Sequence, residues 1–291
     1  MNAEGQPKTE LINDPGFQAG FNLLAPEPGQ RVVLTKLPGP ANAGEPWWDL
    51  AQWNSSFPDL QGPEATPSGG VRYANEGKEI IVSPPGSPDA GITLAVDAGA
   101  EYGQRVRTRG EPWVHLLVEQ RFARPASLAR LRSLHLTLEY RLLRSTLLDP
   151  EHYDPEIHTA QFSLFLTVQN KNRSSPGFGD YYWFGIPIYD YRYAVIPHYE
   201  ARDFAGSGKF IFTPSSLNFT DHPATTGEWI RVTKDILPFI RAGLKAAWSK
   251  GYLVGSHDLS DYYVTSINIG WEVPGSFNVA MQLRNLSLVA E

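Results

Sequence analysis

The sequence predicts an all-β fold, namely a two-sheet antiparallel β-sandwich of jelly-roll type with one amphipathic helix. Its 291 residues include 26 glycines and 24 prolines, which indicate many turns and few long helices. Apolar or alternating segments typical of strands recur at intervals of about 8 to 20 residues, which favours two packed sheets. A chain of this length can bury the core that such a sandwich needs.

Residues 1–70 are predicted to form an N-terminal extension packed on the sandwich. They are rich in proline, glycine and polar residues, with a short strand candidate at residues 31–37. A loop as long as residues 38–70 is expected either to be anchored by burial or to form the rim of a cleft. Both alternatives rest on its four large aromatic side chains, which are Trp47, Trp48, Trp53 and Phe57.

Residues 71–291 are predicted to form the sandwich itself, because strand patterns become regular after Gly70. Residues 134–142, for example, alternate apolar and polar side chains as a half-buried antiparallel strand does. The predicted strands are residues 77–82, 92–96, 113–121, 134–142, 159–168, 181–186, 193–197, 209–212, 228–232, 264–271 and 277–289.

One segment, residues 235–250, has the periodicity of an amphipathic helix. Its apolar side chains recur at spacings of three and four residues, which places them on one helix face. Pro238 suits the first turn and Gly251 suits the position after the end. We expect this helix to close one end of the sandwich.

Composition excludes several classes of partner. A formal net charge of −6 without a Lys and Arg cluster argues against nucleic acid and anionic membranes. No run of about 18 apolar residues predicts membrane insertion. The absence of cysteine excludes disulfides and thiolate metal ligands. The sequence MNAEGQPKTE lacks the features of a signal peptide, so the protein is either cytosolic or, as we predict, secreted or periplasmic with that peptide missing here.

The run from Phe178 to Phe204 gives the clearest indication of function. It interleaves aromatic with charged side chains, and sugars bind to flat aromatic faces and to charged groups that pair with hydroxyls. A period near two places this surface on a sheet. The alternative is that these aromatic side chains fill the core of the sandwich.

Residues 77–291 resemble the jelly-roll β-sandwich domains of carbohydrate-active proteins. The resemblance is carried by the final strand pair at residues 266–290, by the F-x-x-P-x-x-L pattern at Phe122, Pro125 and Leu128, and by the aromatic and acidic run at residues 183–192. Such domains serve as carbohydrate-binding modules and as scaffolds of some glycoside hydrolases and polysaccharide lyases. The resemblance implies the architecture and a glycan partner, and it assigns no catalytic residue.

Paired carboxyl groups are the requirement for a glycoside hydrolase. They lie about 5 to 5.5 Å apart in retaining enzymes and about 6.5 to 9.5 Å apart in inverting ones. Asp190 and Asp203 lie among aromatic residues that could raise a carboxyl pKa, and Glu272 follows Trp271 at the end of a predicted strand. These three acids are the candidate catalytic residues, with a salt bridge or a turn cap as the alternative for each.

The candidate substrate-binding residues are expected to line one groove together with these acids. They are Trp183, Arg192, His158, Gln161, Trp47, Trp48 and His198. Trp183 would supply a stacking platform, and Gln161 belongs to the polar face of the strand at residues 159–168. A polysaccharide lyase is the alternative enzyme, because a base and a group that neutralises a uronate could come from His158, Gln161, Arg192, Tyr193 and His198.

No cofactor is expected, although a structural calcium ion at Asp97, or at Asp258 and Asp261, is considered. Zinc has less support, because Pro150 and Pro155 predict a loop where a metal site would need an extended segment. That site would consist of His152, Asp154, Glu156 and His158. The predicted function is therefore cleavage of a glycosidic bond in a glycan held by a concave aromatic groove. The alternatives are a non-catalytic carbohydrate-binding module, a lyase and a purely structural sandwich.

Overall fold

Two β-sheets packed face to face dominate the protein, as a computed structural model shows for residues 8–41, 44–204 and 206–291. The strands in chain order are β1 (Thr9–Glu10), β2 (Gly20–Leu24), β3 (Val33–Pro38), β4 (Trp48–Ala51), β5 (Gln61–Ala65), β6 (Val71–Ala74), β7 (Lys78–Ser83), β8 (Gly91–Asp97), β9 (Val114–Ser127), β10 (Leu134–Leu147), β11 (Gln161–Asn170), β12 (Tyr181–Asp190), β13 (Tyr199–Arg202), β14 (Phe210–Thr213), β15 (Trp229–Asp235), β16 (Tyr262–Val273) and β17 (Phe277–Ala290). The helical elements are α1 (Ala98–Glu101), α2 (Leu237–Ser249) and the 3₁₀ turns Ser216–Asn218 and Leu259–Asp261.

Sheet A has the strand order β15, β10, β17, β8, β7, β6, β5, with β1 also paired to β17. Sheet B has the order β13, β14, β12, β11, β16, β9, β4, β2, β3. Strand pairs are antiparallel except β12 with β14 and β2 with β4, which are parallel. The predicted fold class, a two-sheet β-sandwich with one amphipathic helix, is confirmed.

Alternate side chains of each strand fill the space between the sheets. In β11, Phe162 and Leu164 are fully buried, whereas Gln161 and Ser163 are partly exposed on the other face. Trp271 of β16 lies within the core, where its Nε1 donates to the carbonyl oxygen of Leu94 in β8 at 2.9 Å. This bond links the two sheets and satisfies the buried indole donor.

Helix α2 packs against β12 and β14, and it confirms the helix predicted for residues 235–250. The Tyr182 hydroxyl donates to the carbonyl oxygen of Ile240 in the helix. Gly243 permits the close approach, because a Cβ there would lie 2.9 Å from the Phe212 ring and the Tyr182 hydroxyl. Neither α2 nor any other helix in the described ranges is long and apolar enough to cross a membrane.

Residues 8–70 belong to both sheets, whereas the sequence predicted an extension on the surface. They supply β1 and β5 to sheet A and β2, β3 and β4 to sheet B. Phe17, Phe21 and Leu50 are completely buried. Short strands among many prolines and glycines give too little periodicity to be recognised, which explains the difference.

One predicted strand, residues 193–197, is a turn and loop instead. The Asp190 carboxylate accepts from the backbone nitrogen of Arg192 at 3.0 Å, and Tyr193 N donates to the carbonyl oxygen of Asp190 at 3.0 Å. An aspartate that bonds its own backbone two residues on ends a strand in a turn. The chain becomes extended again only in β13.

Candidate functional site

The side of sheet B that points away from sheet A, here called the open face, carries rows of polar and aromatic side chains. Residues paired across neighbouring strands point to the same side of a sheet, so the pairing register defines each row. The central row consists of Asn22, Asp49, Glu119, Asn268, Phe165 and Gly185, from β2, β4, β9, β16, β11 and β12 respectively. This row changes from polar to aromatic along its length.

Glu119 occupies the middle of the central row and has a strongly shifted pKa. Burial and the neighbouring Asp49 carboxylate raise the pKa of Glu119 to about 7, although Arg121 and Arg31 oppose the change. Asp49 is its direct partner on β4. Side chains in such a position have Cβ atoms about 4.5 to 5.5 Å apart. Glu119 can therefore hold a proton near neutral pH beside a second carboxyl group.

Asp49 is held in an ion pair. Arg31 donates from Nε to Oδ2 at 2.6 Å and from Nη2 to Oδ1 at 2.8 Å, and Asn22 Nδ2 donates to Oδ1 at 3.0 Å. A carboxylate that accepts a two-pronged guanidinium carries its negative charge. The two carboxyl groups of the central row thus differ in protonation, with Asp49 ionised and Glu119 able to carry a proton.

Asn268 flanks Glu119 on the other side, in β16. Its Oδ1 is buried and accepts no hydrogen bond from the described residues. Buried acceptors normally have a donor, and a protonated carboxyl group can supply one. The neutral form of Glu119 therefore suits this neighbour better than the ionised form.

The loop after β4 forms a wall beside the central row. Trp53 packs on an apolar cluster of the open face formed by Leu24, Ala51 and Leu117. Its ring also meets the edge of His115, with 5.6 Å between the centroids. Trp53, rather than Trp48, is the indole that lies beside the candidate site.

The opposite half of the open face is aromatic. Trp183 meets Phe165 and Tyr181 edge on, with centroid distances of 6.3 and 5.2 Å. Its Nε1 donates to Ser207 Oγ at 2.9 Å, and Ser207 Oγ donates to Asp203 Oδ2 at 2.8 Å. Asp203 therefore lies near Trp183, as predicted, but it fixes the loop that supports the indole rather than facing a second carboxyl group.

Three residues predicted for the groove share a second row of the open face. Glu272, Gln161 and Asp190 are paired in register across β16, β11 and β12, and Gln161 Nε2 donates to Glu272 Oε2 at 2.9 Å. This row meets β9 at His115, four residues from Glu119. At about 3.4 Å per residue the rows are about 14 Å apart, which exceeds the separation of catalytic carboxyl pairs.

Asp190, predicted as a catalytic acid, forms a buried ion pair with Arg192. Arg192 donates to the carboxylate from Nε at 3.0 Å and from Nη2 at 2.6 Å, and Thr159 Oγ1 donates at 2.7 Å. Asp190 is only 5 % exposed, so little of its carboxylate is accessible to a substrate. The pair borders a cavity of about 320 Å³ between loops, away from the central row.

His158, His198 and Trp48 lie outside the open face, so the structure does not bring them together with the other residues predicted for the groove. His158 is buried, with Nδ1 accepting from the backbone nitrogen of Asp154 at 3.0 Å and Nε2 bonded to the carbonyl oxygen of Arg107 at 2.7 Å. Neither nitrogen can act as the base of a lyase. His198 pairs with Glu200 on the edge strand β13, and Trp48 is completely buried against Phe17. Trp47 is 52 % exposed.

The side chains considered for metal binding bond to the protein instead. Asp97 accepts from Ala100 N at 3.0 Å, and Asp258 accepts from Ser260 N at 2.8 Å. Asp261 accepts from Asn172 and from the Ser256 hydroxyl. In the part of the chain that the structure describes, no three His, Asp or Glu side chains converge as a metal ion requires. The described residues therefore give no support to the zinc alternative.

Sequence reasoning missed both central carboxyl groups, although Glu119 left a signal. His115, Glu119 and Arg121 fall on one face of the apolar strand predicted at residues 113–121, a pattern that indicates a wetted face. Asp49 left none, because β4 has only four residues and follows a stretch rich in proline and glycine.

No family model matches the sequence, and no curated protein matches it. Among solved structures, the chain is similar to a family 12 xyloglucanase from Bacillus licheniformis (12 % identity, TM-score 0.44, covering 80 % of this chain and 99 % of that one). It is similar to endoglucanase Cel12A from Rhodothermus marinus (10 % identity, TM-score 0.41, covering 83 % of this chain and 98 % of that one). It is also similar to the xyloglucanase domain of NopAA from Sinorhizobium fredii, in complex with cellobiose (12 % identity, TM-score 0.40, covering 86 % of this chain and 95 % of that one). The site is assigned from the geometry of this chain alone.

Proposed function

We propose that the protein is a glycoside hydrolase that binds a poly- or oligosaccharide along the open face of sheet B. The observation that carries the proposal is Glu119, whose carboxyl group has a pKa of about 7 directly opposite an ionised Asp49. Hydrolysis of a glycosidic bond needs two carboxyl groups in different protonation states. Trp183 and Phe165 on the same face support the proposal, because aromatic surfaces pack against sugar rings.

In this mechanism Glu119 is the general acid and Asp49 is the nucleophile. We infer a retaining rather than an inverting enzyme, because the Cβ atoms of directly paired residues lie about 4.5 to 5.5 Å apart, which leaves little room between the carboxyl groups for the water that an inverting enzyme needs. Glu119 donates its proton to the leaving oxygen while Asp49 Oδ2, which accepts a bond from Arg31, attacks the anomeric carbon. The ionised Glu119 then takes a proton from the water that hydrolyses the glycosyl-enzyme.

Two variants test these roles, Glu119→Gln and Asp49→Asn, with reducing ends measured over a panel of neutral and acidic glycans. Each variant should lose at least about a hundredfold of the turnover, because each removes a group that acts in the transition state. Glu76→Gln is the matched control, because Glu76 is an exposed loop carboxyl and activity should be unchanged.

The same panel separates the alternatives. A glycan that is retained without any product would contradict the hydrolase and favour the second candidate, a non-catalytic binding module, which the aromatic half of the open face supports. Products with the ultraviolet absorbance of an unsaturated uronide would instead indicate a lyase. A protein that binds no glycan at all would exclude all three.

A further inference from the structure

The outer face of sheet A carries a tryptophan enclosed by arginines, here called the arginine cluster. Trp229 of β15 lies beside Arg141 of β10 and Arg284 of β17, whose guanidinium carbons are 4.8 and 3.9 Å from its ring centroid. Arg231 lies two residues further along β15 and is exposed. Glu139 is paired opposite Arg231 and accepts from Arg284 Nε at 2.6 Å. The cluster thus sets three arginines against one directly paired carboxylate.

A cavity of about 360 Å³ adjoins the arginine cluster at the edge of sheet A. Its lining includes Trp229, Arg231 and Lys234 of β15, and Phe219, Asp221 and His222 of the preceding loop. The volume falls in the range of small-ligand sites, about 300 to 1,000 Å³. Neither Arg231 nor Lys234 forms an ion pair with any described residue. Positive charge therefore exceeds negative charge here, although the whole chain carries −6.

We propose that the cavity and the arginine cluster bind an acidic glycan, one whose sugar rings bear carboxylate or sulfate groups. Guanidinium groups pair with such oxyanions through two parallel hydrogen bonds, which a neutral sugar cannot offer. Trp229 is partly exposed, and its ring holds the guanidinium groups of Arg141 and Arg284 beside the cavity. This site lies on the sheet opposite to the open face, so it stands whether or not the open face is catalytic.

Binding is tested by calorimetric titration at low ionic strength with polygalacturonate, with carrageenan and with neutral hydroxyethyl cellulose. Arg231→Gln should weaken binding of the acidic polymers about tenfold, because one charge-assisted hydrogen bond is lost. Arg130→Gln makes the same charge change in an exposed turn after β9 and should have no effect. Added salt should weaken the binding of the acidic polymers, because it screens the charges of the arginine cluster.

The outcomes separate the two sources of the oxyanion. Binding of polygalacturonate alone assigns carboxylate, binding of carrageenan alone assigns sulfate, and binding of both assigns the shared chemistry. The proposal is overturned if neither acidic polymer binds, if Arg231→Gln and Arg130→Gln behave alike, or if Arg231→Gln weakens the binding of hydroxyethyl cellulose as much as that of the acidic polymers. Equal binding of double-stranded DNA would also overturn it, because an unspecific cationic surface would then account for the data. Unchanged melting temperatures of both variants confirm that each is folded.

Discussion

At the scale of a single residue, Glu119 links the stability of the protein to its proposed chemistry. The folded protein keeps this proton up to pH about 7, whereas a glutamate in the unfolded chain loses it near 4.5. Between these values the folded state binds more protons, so stability is highest below the window and falls as the pH rises through it. The difference corresponds to about 3 kcal/mol. A carboxyl group placed at such a cost is typical of a functional site.

Glu119→Gln should therefore stabilise the protein at about pH 8 by about 2 kcal/mol and change little at about pH 4. The neutral amide keeps the shape of the protonated acid and cannot acquire the unfavourable charge. Free energies of unfolding in urea at both pH values check this, with the exposed Glu76→Gln as control. An equal difference in the free energy of unfolding between Glu119→Gln and the wild type at both pH values would show that Glu119 does not titrate in this window.

At the scale of elements, a buried ion pair anchors the loop after β4, which carries Trp53. The pair joins β7 of sheet A to α1. Lys78 of β7 and Glu101 of α1 have almost completely buried side chains, with Nζ 3.4 Å from Oε1. Lys78 also donates to Ser55 Oγ at 2.6 Å, and Ser56 N donates to Glu101 Oε2 at 2.6 Å. Burial lowers the pKa of Lys78, although the charge of Glu101 opposes this. The pair thus anchors the wall of the open face.

Lys78→Met should lower the free energy of unfolding by about 3 to 5 kcal/mol, because it leaves the Glu101 carboxylate buried without its partner. The double variant Lys78→Met with Glu101→Gln should recover most of this loss, since no buried charge remains. Denaturant unfolding of the two single variants and the double variant gives the coupling energy. Lys245→Met, on an exposed position of α2, is the control. Additive losses in the double variant would contradict the proposed pairing.

At the scale of the molecule, prediction succeeded where one strand or helix contains its own signal. β10, β11 and β17 are long and alternate, so their burial could be read from the sequence, and Trp183, Gln161 and Glu272 do lie on the open face. The pairing of Asp49 with Glu119 could not be read, because the register between distant strands is a tertiary property. The burial of Asp190 against Thr159 and of His158 against Arg107 could not be read for the same reason, since each pair joins distant parts of the chain.

The largest misjudged feature, the N-terminal segment, leads to a prediction for the whole molecule. A fragment of residues 71–291 should not fold cooperatively, because it lacks β4, β2 and β3, the three strands of sheet B beyond β9. It would lose Phe17, Phe21, Leu23, Trp48 and Leu50 from the core, each buried to 98 % or more. At about 1.5 to 3 kcal/mol for each side chain, their sum is about 10 kcal/mol, which equals the whole stability of a typical domain. The fragment would also expose β9 as a long apolar edge, which favours aggregation.

Near-ultraviolet circular dichroism and thermal melting of the fragment, compared with the full chain, provide the measurement. We expect no near-ultraviolet signal and no cooperative transition, and we expect both to return in part when residues 1–70 are added as a separate chain, because β4 can pair with β9 without covalent linkage. A segment that merely lay on the surface would instead leave a fragment that melts cooperatively at a slightly lower temperature. That result would mean that the core between the two sheets is complete without β1 to β5. The segment would then add only Asp49 and the wall formed by Trp53 to a sandwich that folds from β6 onward.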